Sequence, residues 1–227
     1  MRLLHQSLLL LILAVLAGSA AASRIEQEEK VDAVIEVLQK ATQIPEQGIP
    51  PRLLQGAQGI AVIPGVIKAG FMVGGSYGKG LLVVRDAQGH WSPPLFVALA
   101  AGSFGWQIGA QSTDLVLVFK TRRSIDGIVR GTFTLGADAA IAAGPVGRRG
   151  EAATDAELKA EILSYSRARG LFAGLSLEGS NIAIDHDANE RYYGKALRPA
   201  EILEGKQDLP ASSARLLEAV RKATTRK

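Results

Sequence analysis

The segment from Ser164 to Gly194, SYSRARGLFAGLSLEGSNIAIDHDANERYYG, limits the possible folds more than any other part of the chain. Leu171, Ala173, Leu175 and Leu177 alternate with Phe172, Gly174, Ser176 and Glu178, a period-2 pattern that predicts a strand. Both sets are mostly apolar or small, so the strand is expected to be covered on both faces. Gly170, Gly174 and Gly179 fall where bends or close backbone approaches are expected. Gly179-Ser180 reads as a turn into a second strand, Asn181 to Asp185.

The rest of the chain repeats this grammar of short apolar runs separated by glycine. Gly59–Pro64, Phe71–Gly74, Gly80–Arg85, Leu95–Ala100, Ser103–Gly109 and Asp114–Phe119 are predicted strands, with Asp86-Ala87-Gln88-Gly89 closing a hairpin. Connections this short imply antiparallel pairing, since a parallel crossover takes a dozen or more residues. The expected fold is α+β: a single β-rich domain with a curved, mostly antiparallel sheet, an N-terminal helix and short C-terminal helices.

Helical periodicity is clearest over Arg24–Thr42, with Ile25, Val31, Val34, Ile35, Leu38 and Ala41 predicted inward. Its polar face is acidic, which disfavours contact with an anionic bilayer and favours packing on the domain. Pro51 opens a short helix. Thr121–Gly131 is expected to be helical, with Ser124 as N-cap and Ile125, Ile128 and Val129 inward. Lys159–Arg169 reads as a turn or short helix leading into a strand from about Ala160. Pro199–Leu203 makes one or two helical turns, and Ser212–Ala223 is a basic amphipathic helix.

Met1–Ser23 has the form of a secretory signal peptide: Arg2, an apolar core over Leu8–Ala17, and small residues at Ala20–Ala22. Its apolar run is short for a bilayer span, which needs about 20 residues. The expectation is cleavage near Ala22 and a periplasmic or secreted, membrane-peripheral protein. The resulting division is 1–22 signal peptide, 23–51 N-terminal helix and linker, 52–194 main domain and 195–227 C-terminal helical tail.

The chain has no cysteine and three histidines. Disulfides, zinc–thiolate sites and cysteine nucleophiles are thereby excluded, and no Ser-His-Asp or paired-carboxylate spacing stands out. His90 sits in the hairpin beside Trp91 with no apparent acid partner. The run Gly74–Gly80 lacks the Gly-Lys-Ser/Thr-to-helix pattern of a phosphate loop and reads as a hairpin turn. Asp185–Asn189 spaces oxygen ligands as a calcium loop does but lacks its glycine and distal glutamate; a turn and helix cap explain it more simply. No cofactor is expected.

The order of motifs from Arg52 to Gly194 resembles the SYLF domain. The resemblance rests on GAQGIAVIP (Gly56–Pro64), Gly70-Phe71, Gly78-Lys79-Gly80, Trp91-Ser92-Pro93-Pro94, Gly105 with Gln107-Ile108-Gly109, Asp114–Val118, Gly144-Pro145-Val146-Gly147 and SYSRARGLFAGLSLEGSNI before Tyr-Tyr-Gly. It implies a β-rich, non-catalytic domain that binds anionic phospholipid, phosphoinositides in eukaryotic members. In some of those members a basic amphipathic stretch precedes the domain; here the preceding helix is acidic. Candidate lipid-contacting cations are Lys120, Arg122, Arg123, Arg148, Arg149, Arg167 and Arg169, gathered on one sheet edge, with Lys79 beside the glycine-rich turn and Arg215, Arg221 and Lys222 of the last helix. The alternative is an envelope protein–protein interaction or structural module. Nucleic acid is not an expected partner, since export removes it and stacking aromatics are few.

Overall fold

The computed structural model describes residues 24–43, 48–147, 159–168, 171–174 and 177–226. Residues 24–43 form helix α1. They are followed by α2 (Pro51–Gln55), β1 (Gly59–Val84), β2 (Leu95–Phe119), α3 (Arg122–Arg130), β3 (Phe133–Thr134) and β4 (Ile141–Ala143). Then come β5 (Ile162–Ala168), β6 (Leu171–Gly174), β7 (Asn181–Ile184), α4 (His186–Tyr193), α5 (Pro199–Glu204) and α6 (Ala211–Thr225). The expected class is what the chain adopts, a strongly curled and mostly antiparallel sheet with helices at both ends of the sequence.

Two strands dominate. β1 and β2 pair antiparallel from Gly59↔Phe119 to Leu82↔Leu95, joined by the Asp86–Gly89 turn. The six separate strands expected in this region are therefore two continuous ones. Gly74–Gly80 is strand interior, not a hairpin turn. The glycines there serve a close approach: a Cβ on Gly78 would lie 2.8 Å from Ile63 Cγ2 and Val66 Cγ2. β1 bends back on its own beginning, helped by an irregularity between Ile63 and Val66, where Gly65 has φ +62°.

β2 holds different partners along its second edge. β7 pairs with Val97–Ala100 and β5 with Asp114–Phe119. β3 adds to β7, β6 to β5, and β4 pairs parallel with β5. The Ser164–Gly194 stretch thus does not form a hairpin between its two final strands: β6 and β7 go to separate parts of the sheet. Nor is β6 covered on both faces, because Leu171 is 57% exposed whereas Phe172 is buried.

Coverage on both faces belongs instead to β1 and β2, and explains why IAVI, LLVV and LVLVF read as unbroken apolar runs. One face (Ile60, Val62, Leu81, Val83, Phe96, Val116, Val118) packs on α1, α2 and α6. The other (Ala61, Ile63, Leu82, Val84, Leu95, Leu117, Phe119) packs on Ile125 and Ile128 of α3 and Ile202 of α5. In α1, Val31, Val34, Val37, Leu38 and Ala41 face inward, while Ile25, expected among them, is 58% exposed at the helix start. Thr121, not Ser124, is the N-cap of α3; Ser124 is buried and its hydroxyl donates to Glu161 at 3.1 Å. β3 and β4 lacked any alternation long enough to predict.

The Tyr192-Tyr193-Gly194 close is a packing device. Tyr192 tilts against Phe96 at 5.0 Å between ring centroids, and its hydroxyl meets those of Ser212 and Ser213 on α6, each at 2.8 Å. Tyr193 donates to the Pro94 carbonyl at 2.6 Å. Gly194 ends α4 at φ +70°, a left-handed cap that suits glycine.

Candidate functional site

The hairpin joining β1 and β2 builds the one corner where cations, an aromatic ring and concave surface meet among the described residues. Asp86 Oδ1 accepts the backbone N–H of Gln88 (2.9 Å) and His90 (2.7 Å), and Gly89 takes φ +89°, so the turn is locked locally. His90 does have an acid partner: its Nδ1 lies 3.4 Å from Asp86 Oδ2. The exposed Asp86 carboxyl is held below its ordinary value: partial burial at the turn opposes this, and the His90 N–H and side chain outweigh it.

Beyond the turn, Arg85 and Trp91 face each other across an antiparallel bridge. The Arg85 guanidinium carbon sits 4.5 Å from the centre of the Trp91 ring, within cation–π range. Its Nη1 donates to the Gln55 carbonyl at 2.6 Å, while its Nε has no hydrogen-bond partner among the described residues. Burial pulls the Arg85 pKa below its ordinary value, which still leaves it cationic at neutral pH. Arg122, at the start of α3, donates Nη1 to the Arg85 carbonyl at 3.0 Å and Nε to Asp126 at 3.1 Å.

Two clefts flank Trp91. One, of about 300 Å³, is lined by Val84, Trp91, Pro93, Arg122, Leu209 and Leu217 among others. The other, of about 610 Å³, lies between the hairpin and α6 and includes Gln55, Arg85, Trp91, Leu217 and Arg221. Their linings bring the indole and leucines together with the guanidinium groups of Arg85, Arg122 and Arg221 and with the carboxylates of Asp86, Glu204 and Glu218.

Among the described residues, the cations expected on a single edge do not converge on one. Lys79 makes a 2.7 Å ion pair with Asp185, whose other oxygen caps α4 by accepting from Ala188 N–H at 3.0 Å. The Asp185–Asn189 segment therefore acts as the turn and helix cap that its sequence suggests. Arg167 pairs with Asp114 at 3.2 Å, both largely covered, and Asp114 also accepts from Gly65 N–H. Arg215 pairs with Asp32 at 2.6 Å, joining α6 to α1. Arg221 and Lys222 both pair with Glu218 on their own helix. Lys120 is half-buried, and Arg123 is exposed next to Arg122. Arg148, Arg149 and Arg169 lie outside the described residues, as does the 1–22 leader.

Of the expected cations among the described residues, only Arg122 and Arg221 line these two clefts. Arg85 and Trp91, which sequence reasoning did not single out as site residues, are central. The signal available was that Arg85 and Trp91 lie equally far on either side of Gln88 at the centre of the turn, a spacing that puts them opposite one another in a hairpin.

This fold, with its two long curled strands and the Ser164–Gly194 stretch split between two segments of β2, defines a SYLF-type domain. The chain belongs to the Ysc84 family: a family model described as "Ysc84: Las17-binding protein actin regulator" matches residues 100–223. It is 38% identical over 175 residues to Protein YSC84 of Saccharomyces cerevisiae, an overlap of 76% of this chain and 37% of that one. It is 39% identical over 164 residues to LAS seventeen-binding protein 3 of the same yeast, 71% of this chain and 36% of the other. With the human SH3 domain-containing YSC84-like protein 1 it shares 34% identity over 202 residues, 86% and 58% of the two chains. The chain thus spans less than two thirds of the length of these relatives, one of which is named for binding.

Proposed function

We propose that this chain is a non-catalytic module that docks on anionic phospholipid surfaces through the Arg85–Trp91–Arg122 corner. The observation that carries the reading is the Arg85 guanidinium stacked on Trp91, with Arg122 bonded to its carbonyl and a cleft on either side. Tryptophan favours the headgroup level of a bilayer. Each arginine near an anionic surface adds about 1 kcal/mol, so Arg85, Arg122 and Arg123 together give binding that is useful and salt-sensitive. The signal-like leader favours a periplasmic or extracellular setting for this activity, peripheral to a membrane, after cleavage near Ala22.

The test is co-sedimentation of the chain lacking residues 1–22 with vesicles of phosphatidylcholine containing phosphatidylglycerol. Binding that falls with salt and drops on joint Arg122→Glu and Arg123→Glu substitution supports the reading. Equal partition onto pure phosphatidylcholine would reject it. A protein partner is the second reading, favoured by relatives named for binding Las17. It is distinguished by partner capture that is insensitive to salt and needs no vesicle.

A further inference from the structure

The turn that closes the β1–β2 ribbon holds His90 by its main chain. Its N–H donates to Asp86 Oδ1 at 2.7 Å, and its carbonyl accepts from Asp86 N–H at 2.8 Å. The imidazole is not part of that lock. It is 79% exposed, with Nδ1 3.4 Å from Asp86 Oδ2.

His90 lines both clefts, and is the one titratable side chain common to their linings. Around it the charges are matched. In the smaller cleft Arg122 of α3 accompanies Asp86 of the hairpin and Glu204 of α5. In the larger, Arg85, just past β1, and Arg221 of α6 accompany Glu218 of α6. Beyond the linings, Arg122 pairs with Asp126, Glu204 with Lys206, and Glu218 with Lys222 as well as Arg221. Three guanidinium groups and three carboxylates therefore sum to no net charge while His90 is neutral, and to one positive charge once it is protonated. The hydrogen bond from Arg221 holds the Glu218 carboxyl below its ordinary value, and Asp86 is held low at the turn, so mild acid leaves both charged.

We propose that His90 is a membrane-contacting residue that makes docking at this corner acid-responsive, its imidazolium supplying the charge that turns a balanced corner into one that attracts phosphate headgroups. The inference rests on the lipid reading above and adds to it the group that sets the strength of docking. Histidine is the side chain whose charge ordinarily changes between about pH 5 and 8, and it is positive on the acid side. Docking on an anionic bilayer therefore strengthens as pH falls. By reciprocity the anionic surface favours the protonated imidazole. Trp91, next in the chain and lining the same clefts, gives His90 an aromatic neighbour suited to the headgroup level. After residue 22 the chain has two histidines, and the other, His186, opens α4 and lines neither cleft.

The test repeats the co-sedimentation above, with phosphatidylcholine vesicles containing phosphatidylglycerol, at about pH 7.5 and about pH 5.5. The phosphate diester of phosphatidylglycerol stays anionic at both. Partition at low salt is expected to rise about fivefold at the lower pH, the effect of one further charge at an anionic surface. His90→Gln is expected to bind at both pH values as the wild type does at the higher one. His90→Lys, charged throughout, should bind at the higher pH as tightly as the wild type at the lower. His186→Gln should keep the wild-type response. Because the main chain holds the turn, all three variants are expected to keep the wild-type melting temperature. Partition that ignores pH, a response that survives His90→Gln, or one that disappears with His186→Gln overturns the inference and leaves the lipid reading standing. So does an equal rise at the lower pH on pure phosphatidylcholine alongside preferential binding to phosphatidylglycerol at the higher. Absence of co-sedimentation at both pH values removes the lipid reading and the inference with it.

Discussion

Gly80 passes so close to Val62 that a Cβ placed on it would lie 2.1 Å from the Val62 carbonyl oxygen and 2.7 Å from Ile63 Cα. The contact is between two parts of the same strand, and it is backbone against backbone. β1 can curl back over its own start only because residue 80 has no side chain.

Gly80→Ala is therefore expected to destabilise the fold by at least ~3 kcal/mol, since neither backbone segment can yield without breaking its pairing with β2. Gly102→Ala, on the ribbon with open space where its Cβ would go, is the matched control and should change stability by less than about 0.5 kcal/mol. Urea unfolding of the two variants measures both. Similar losses for the two would mean that the close approach does not hold the curl.

Asn189 is buried on α4 and completes the edge of β2. Its Oδ1 accepts from Phe96 N–H at 2.9 Å, and its Nδ2 donates to the carbonyls of Phe96 (3.0 Å) and Asp185 (2.8 Å). Asn189→Ala leaves the buried Phe96 N–H without its acceptor, while the Phe96 and Asp185 carbonyls keep the backbone N–H groups of Asp185 (2.9 Å) and Asn189 (3.0 Å), and should cost about 1–3 kcal/mol. Asn189→Asp should be worse, because a carboxylate keeps the acceptor but faces two carbonyl oxygens. Chemical denaturation of both variants gives the order.

Tyr165 carries the opposite expectation. It is fully buried, its hydroxyl has no hydrogen-bond partner among the described residues, and burial pushes its ionisation well above the ordinary value. Gly144 lies flat against the ring, with room for no side chain. Tyr165→Phe removes an unpaired polar atom and is expected to be neutral or stabilising by up to about 1 kcal/mol. A loss above about 1 kcal/mol in urea unfolding would show that the hydroxyl has a partner after all.

The Lys79–Asp185 pair makes a pH prediction. Burial works against the Asp185 charge, but the hydrogen bond from Lys79 and the Ala188 N–H bring its pKa below the ordinary 3.8. Its stabilising contribution is thus present above 3.8 and lost as pH falls through the depressed folded value. Lys79 is raised above 10.5 by the Asp185 hydrogen bond, against the pull of burial. Its contribution holds below 10.5 and disappears as pH rises through the higher folded value. Lys79→Met should move the acid unfolding midpoint to higher pH and leave the alkaline side less steep. With Lys79 37% exposed, the effect near neutrality should be about 1 kcal/mol or less. An acid midpoint that stays at the wild-type value would mean that the pair does not tune Asp185.

The class of fold, both terminal helices and the Asp86–Gly89 turn could be read from residue patterns, because each depends on local periodicity or turn chemistry. The merging of six strands into two could not. A glycine run such as Gly74–Gly80 is written the same way for a turn as for a strand pressed against distant backbone, and only the position of Val62 decides between them. The separation of β6 from β7 is likewise a matter of which edge of β2 is free, a long-range property. For the site, Arg122 and Arg221 were recognisable as cations. Whether a cation is available is decided by carboxylates remote in sequence: Asp114 is 53 residues from Arg167, and Asp32 is 183 residues from Arg215.

α1 and α6 share one apolar layer over β1, where Val34 and Leu38 meet Leu216 and Val220. Arg226 donates to the Thr42 carbonyl and Gln55 to the Arg226 carbonyl, so the last turn fastens the first helix down. A chain made from its N-terminus onward can zip β1 to β2 early, but α1 must wait with its greasy side unmet until α6 has been synthesised. The two helices therefore act as a clasp closed late over a sheet already assembled. A chain cut short before Ala211 would keep that sheet and leave α1 loose, a natural target for chaperones and proteases.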